Sequence, residues 1–303
     1  MNEIIDKLIL LIVTTVFMSL TLILYRYAHA LLYPSSRQQI FKRFHPSRNS
    51  PDTIHLFSRI LGVGIIYSQL GIYFSDAGWL LAFITFLLQA VLLFSCYLIS
   101  IYIIESIVFY NFEYIDEILK RKNYTYAIIS FSHSIAVAWI LKTIIMVSEN
   151  NFIMIIMLWL ISMVIMGLSV KSYSLVSKLA FNKLLIQKNL ALAFSYSGFV
   201  LGWTMIISSS INNQSENFLW FNFYIVLKIL LSVIIFPIFN WGLITIFKLQ
   251  DDFKSDMISE NGRDILGPQV GYGIFEGIMF LTSCLLTTVI TGKIYFGSFY
   301  PGF

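Results

Sequence analysis

The feature that most constrains this sequence is a series of apolar runs, each about 20 residues long. They cover residues 8–25, 54–74, 79–104, 126–147, 152–170, 190–211, 218–247 and 270–290. A helix needs roughly 20 apolar residues to cross the hydrocarbon of a bilayer. Strands of membrane barrels are shorter and alternate in polarity, whereas these runs are continuous. The sequence therefore predicts an all-α, polytopic membrane protein with eight transmembrane helices.

The composition excludes several classes of function. Hydrophobic residues make up 58% of the 303 residues and charged residues only 12%, about half the usual charged share of a soluble protein. This excludes a soluble enzyme. The basic residues lie between the apolar runs and form no stripe, so nucleic-acid binding is not expected. Cys96 and Cys284 both fall inside apolar runs, as buried apolar residues do.

The distribution of Lys and Arg predicts the orientation of the chain. In the connections between runs, these residues occur only after odd-numbered runs, in residues 26–48, 120–122, 171–188 and 248–263. Because cytoplasmic loops are enriched in Lys and Arg, both termini are expected on the extracytoplasmic side. The basic connections are the longer ones, so the runs pair as outer hairpins. Two connections, 109–122 and 171–188, have the apolar spacing of amphipathic helices.

A weak repeat underlies the even-numbered runs. Shifting the sequence by 140 residues aligns Asn49 with Asn189 and Gly62 with Gly202, and a shift of 66 aligns Asn123 with Asn189. The last even run has a variant, with Gly273 and Gly277 four residues apart. Such internal similarity predicts a repeated two-helix hairpin. Residues 1–150 and 151–303 are then two four-span units, the first more diverged.

The repeated positions have a structural interpretation. Asn before a helix accepts hydrogen bonds from the exposed amides of its first turn, and small residues four apart let helices approach closely in lipid. We therefore expect helix capping and packing, with the even-numbered spans forming the inner set; ligand binding is the alternative. The residues concerned are Asn49, Gly62, Asn123, Asn189, Gly198, Gly202, Gly273 and Gly277.

Five of the polar side chains inside the apolar runs define a predicted intramembrane seam: Lys228, Glu276, Arg59, His133 and Gln89. Charged groups at mid-membrane depth cost about 2.5 to 3.5 kcal/mol on insertion scales and usually pair or line a cavity. We expect Lys228 and Glu276 to pair, because they lie on consecutive spans. The seam either forms an ion or proton pathway or holds the bundle in register.

Motifs for catalysis or cofactors are not found. The sequence contains no HExxH, G-x-S-x-G, P-loop or paired-cysteine pattern, and its four histidines lack metal-ligand spacing. No catalytic residue, metal site or cofactor is therefore predicted, and the chain is not expected to be an enzyme.

Two segments carry a resemblance to a known family. Residues 188–202, KNLALAFSYSGFVLG, followed by the SSSIN of residues 208–212, resemble the first motif of the YjfL-like family, the domain of unknown function numbered 350. Residues 273–277, GIFEG, are similar to its second motif, except that Glu276 stands where the family has an apolar residue. One family domain is about four spans, so the chain resembles a tandem of two. The resemblance implies the bacterial inner membrane and an association with membrane-stress or remodelling systems, without an established reaction.

Together these features predict a non-enzymatic envelope scaffold or sensor. Its partners would be membrane lipids, a second copy of the chain or other envelope proteins, engaged through basic amphipathic segments. The alternative is a channel or transporter for an ion or small solute, built around the polar seam.

Overall fold

The computed structural model describes residues 2–42, 46–71, 79–148, 151–213, 218–247, 257–260, 263–266 and 268–292. These residues are almost entirely helical. The helices are α1 (Asn2–Leu32), α2 (Arg37–Lys42), α3 (Ser50–Tyr67), α4 (Trp79–Val108), α5 (Tyr124–Ser148), α6 (Phe152–Val176), α7 (Phe181–Ile186), α8 (Leu190–Ile211), α9 (Phe218–Ile246) and α10 (Val270–Gly292). A 3₁₀ turn (Pro34–Ser36) and a π-helical turn (Ile115–Lys120) lie in two of the connections.

Seven of the described helices are long and apolar enough to cross a membrane: α1, α4, α5, α6, α8, α9 and α10. The second predicted span, residues 54–74, corresponds to α3, which does not reach this standard. Its 18 residues include Asp52, His55 and Arg59, and these side chains lower its mean hydropathy. Residues 72–74 of that predicted span lie outside the described residues.

One element departs from the all-α prediction. Strands β1 (Met257–Glu260) and β2 (Arg263–Leu266) pair antiparallel between α9 and α10, with Met257 opposite Leu266. The two residues between these strands in the sequence are Asn261 and Gly262. Asn-Gly is the pair most typical of two-residue hairpins, because both residues readily adopt positive φ. The Asn-Gly pair is thus a sequence signal for the hairpin, but it covers only two residues and is much weaker than the signal of the apolar runs.

The even-numbered predicted spans form a central row. Along this row α3 packs against α5, α5 against α8, and α8 against α10. Helices α5 and α8 are the most buried of the long helices, whereas few residues of α1 and α9 are buried. In a membrane, exposed Leu, Ile and Val side chains contact lipid and need no protein partner. The row therefore makes the core, and the odd-numbered predicted spans, which are α1, α4, α6 and α9, flank it.

Each of the first three helices in the row is joined to the next by the Asn that precedes it. The amide oxygen of Asn49, Asn123 and Asn189 accepts hydrogen bonds from the first turn of its own helix. The amide nitrogen donates to a backbone carbonyl just before the next helix of the row. These carbonyls are those of Ile118, Leu185 and Pro268, at 3.1, 2.9 and 3.0 Å respectively.

Glycine brings two helices of the row into backbone contact. A Cβ atom added to Gly198 of α8 would lie 2.2 Å from the carbonyl oxygen of Gly277 in α10. A Cβ atom added to Gly273 would lie 2.1 Å from the carbonyl oxygen of Ala191. Only glycine permits this approach, so α8 and α10 are in direct backbone contact.

Candidate functional site

The centre of the first unit is a buried ion pair between Arg59 of α3 and Glu105 of α4. Arg59 is 1% exposed and Glu105 is 8% exposed. Burying such a pair is costly unless further hydrogen bonds satisfy both groups. The polar atoms around the pair therefore decide whether it is stable.

Two serines of α5 and one tyrosine complete the environment of the pair. Arg59 donates to Ser130 Oγ at 2.8 Å and to Ser134 Oγ at 2.6 Å. Glu105 accepts from Ser130 Oγ at 2.6 Å and from Tyr33 Oη at 2.8 Å. Ser130 and Ser134 are four residues apart and so lie on one face of α5. Three helices and the end of α1 thus converge on one charge pair.

Aromatic and histidine side chains pack beside this ion pair. His55, one turn before Arg59 on α3, has its Nε2 atom 4.0 Å from Glu105. Its ring is 5.8 Å from that of His29, which is hydrogen-bonded to Tyr25 Oη at 3.1 Å. Tyr33 and Tyr114 also contact the ring of His55. The group contains several titratable side chains with little exposure.

The second unit has its own buried carboxylate. Glu276 of α10 accepts hydrogen bonds from Ser195 of α8 and from Ser177, which follows α6, the latter at 2.9 Å. Ser195 is also hydrogen-bonded to Tyr173 at 2.9 Å. Tyr173 lies 140 residues after Tyr33, which is the main repeat offset. The two units therefore place equivalent tyrosines near carboxylates that come from different helices.

A hydrogen bond between α5 and α8 lies between these two clusters. His133 lies on α5, next to Ser134, and its Nε2 atom is 3.0 Å from Tyr196 Oη of α8. The Tyr196 ring packs edge-on against that of Tyr173, with centroids 4.9 Å apart. Polar and aromatic contacts thus run from Glu105 to Glu276, through the contact of α5 with α8.

The predicted seam residues lie in several places. Arg59, His133 and Glu276 belong to the connected clusters just described. Gln89 on α4 and Lys228 on α9 are also buried, at 2% and 7% exposure. Among the described residues, however, Lys228 and Glu276 do not form an ion pair, so the pairing prediction is not met.

Two features explain the missing pair. Glu276 shares a face of α10 with Gly273, Gly277 and Phe280, and this face packs on α8. Glu276 also lies six residues into α10, or roughly 9 Å along it, whereas α9 continues 18 residues beyond Lys228, or roughly 27 Å. With the end of α9 level with the start of α10, this spacing separates the two side chains by roughly 18 Å in depth.

Lys228 and Glu276 should consequently be independent in a double-mutant cycle. We expect the losses from Lys228→Met and Glu276→Gln to add within about 0.5 kcal/mol, as they do for distant sites. Thermal stability of the single and double variants in detergent measures this. A coupling above about 1 kcal/mol would instead mean that the two charges interact.

Glu105, the ion-pair partner of Arg59, was not among the predicted residues. The third apolar run ends at residue 104, so Glu105 lies just outside it, whereas α4 continues to Val108. His55 is one of the four histidines that lack metal-ligand spacing. Its spacing of four residues from Arg59 was the available signal, because such pairs share a helix face.

The site offers hydrogen-bonded charges and no metal-binding set. Among the described residues, no group of three His, Cys, Asp or Glu side chains is arranged to hold a metal ion. Arg59 carries a fixed positive charge, and Glu105 is oriented by three donors. Such an arrangement can hold helices in register, and its outer atoms can bind a further polar group.

Long apolar helices around a buried polar network define a multi-pass α-helical membrane protein. The family described as Domain of Unknown Function (DUF350) matches residues 3–145 and again residues 146–291. The chain therefore belongs to this family and carries its domain twice in tandem. The junction of the two matches is close to the predicted junction at 150/151. No curated protein and no solved structure matches the chain.

Proposed function

We propose that this protein is a non-enzymatic scaffold or sensor of the bacterial inner membrane, linked to membrane stress or remodelling. The observation that carries this proposal is the central row of helices. Its polar side chains are hydrogen-bonded to each other across the contact between the two tandem units, at His133 and Tyr196. A core joined in this way favours a stable platform over an open pathway.

The proposal includes an eight-span topology with four outer hairpins and both termini outside the cytoplasm. The Lys and Arg distribution supports it. Helix α3 is proposed as the eighth span because it packs along α5 within the central row. There the polar side chains of Arg59 and His55 face protein, and so avoid lipid.

Cysteine labelling tests this topology. In a variant whose two native cysteines are serine, Asn212→Cys should react with a membrane-impermeant maleimide in spheroplasts. Ser47→Cys should react only after the membrane is opened. Both positions are exposed, which makes them a matched pair. Labelling of Ser47→Cys in intact spheroplasts would contradict the orientation.

Purification from native membranes tests the scaffold role. After crosslinking in cells, we expect the protein to be recovered with a second copy of itself or with other envelope proteins. Recovery of the monomer alone, under conditions that preserve a known membrane complex, would contradict this role.

A channel or transporter is the second candidate. It is favoured by buried polar atoms that have no hydrogen-bond partner among the described residues, including one ring nitrogen each of His29, His55 and His133. Titratable groups at membrane depth are the usual members of proton relays. Proton flux into proteoliposomes that is lost in Glu105→Gln and Glu276→Gln would favour this candidate over the scaffold.

A further inference from the structure

A cavity of about 380 Å³ lies where α1 and α4 end. Its size is within the range of small-molecule sites. It reaches from exposed Glu113 to buried Glu105. Its wall is formed by the turn after α1, the last two turns of α4 and residues 109–115, with Tyr126 of α5 at one side.

The charged residues in the described lining of this cavity are both acidic. Its lining includes Glu105 and Glu113, but no Lys or Arg. Arg59 neutralises Glu105 and is not part of the lining. The ion pair therefore presents its carboxylate end to the cavity, with the guanidinium behind it. A positive ligand group would gain attraction from both carboxylates.

Aromatic rings form much of the remaining wall. Phe109 and Tyr126 are stacked with centroids 3.9 Å apart, and the Tyr33 and Tyr114 rings are 4.6 Å apart. Tyr33 donates its hydroxyl hydrogen to Glu105, and Tyr114 donates to Asp52. Donation to a carboxylate makes a phenol ring more electron-rich, which strengthens its attraction for a cation.

We propose that this cavity binds the ammonium group of a small organic cation. A quaternary or primary ammonium with a short apolar body matches both the carboxylates and the aromatic wall. The group can belong to a free solute or to the headgroup of a zwitterionic phospholipid, since the cavity lies at the predicted cytoplasmic end of two spans. The proposal goes beyond the scaffold role and does not depend on it.

Choline and its carbon isostere, 3,3-dimethylbutan-1-ol, test the charge requirement. The full chain is placed in nanodiscs of phosphatidylglycerol, and binding is followed by saturation-transfer NMR, with protein-free nanodiscs as the blank. Choline should bind at least tenfold more tightly than the isostere, a difference of about 1.4 kcal/mol. Equal affinities, or no binding above the blank, would overturn the proposal.

Two matched variants locate the binding site. Glu113→Gln removes an exposed carboxylate from the lining and should weaken choline binding about tenfold. Asp116→Asn removes an exposed carboxylate three residues away, outside the lining, and should leave the affinity unchanged. Equal effects of the two variants would show only attraction to surface charge, and would also overturn the proposal.

The lipid composition distinguishes the two sources of the ammonium group. If phospholipid headgroups occupy the cavity, free choline should bind in phosphatidylglycerol nanodiscs but not in phosphatidylcholine nanodiscs. If the ligand is a free solute, choline should bind equally in both. Either result supports an ammonium site, and the comparison assigns its source.

Discussion

Replacing Arg59 by Met should destabilise the protein by about 3 to 5 kcal/mol. The substitution leaves Glu105 as a buried charge without its counter-ion, and this is the costly way to break such a pair. We expect the midpoint of thermal aggregation in detergent to fall by about 10 °C. Replacing both Arg59 and Glu105 by Met should restore part of this loss, because neither residue is then left as an unpaired charge.

The exposed pair of Lys120 and Asp116 provides the control. It has ideal i,i+4 spacing and a 2.7 Å contact, yet both side chains are more than half exposed. Such surface pairs contribute little to stability, so Lys120→Met should shift the midpoint by at most about 2 °C. Equal shifts for Arg59→Met and Lys120→Met would mean that the buried pair does not hold the helices together.

Seven of the eight predicted spans correspond to long apolar helices of the described part of the chain, with limits close to those predicted. The physical reason is that one length, the thickness of the hydrocarbon, constrains every span. Helix α3 is the informative case, because its polar side chains would be unfavourable in contact with lipid. In the structure, Arg59 and His55 face neighbouring helices. Hydropathy alone cannot separate these two environments.

The contents of the buried site were less predictable. Arg59 and His133 stand out as polar residues inside apolar runs. Glu105 does not, because it lies just past the end of a run. The partner of a buried charge depends on which face of its helix meets which neighbour. For Glu276 that neighbour is α8, although α9 is closer in the sequence. The short glycine pattern on α10 determines this contact. The helix next to Glu276 is therefore set by close backbone packing, and not by the order of the helices along the chain.

The glycine contact between α8 and α10 predicts the second large effect, which is a loss of stability in the Gly198→Ala variant. The added Cβ atom would lie 2.2 Å from a backbone carbonyl oxygen of Gly277, and a backbone cannot turn aside as a flexible side chain can. Helices α8 and α10 must therefore separate, which disturbs the hydrogen bond from Ser195 to Glu276. Overpacking typically costs about 1 to 3 kcal/mol and occasionally more. We expect the upper end of this range, seen as a strong loss of monodisperse protein in detergent and a fall of about 10 °C in its thermal midpoint.

Gly242→Ala is the matched control, because it makes the same chemical change inside a long helix. A Cβ atom at Gly242 of α9 meets nothing within 4 Å, and alanine favours a helix interior over glycine by about 1 kcal/mol. This variant should be neutral or slightly stabilised. If both alanine variants behaved alike, the backbone contact between α8 and α10 would not be a determinant of stability.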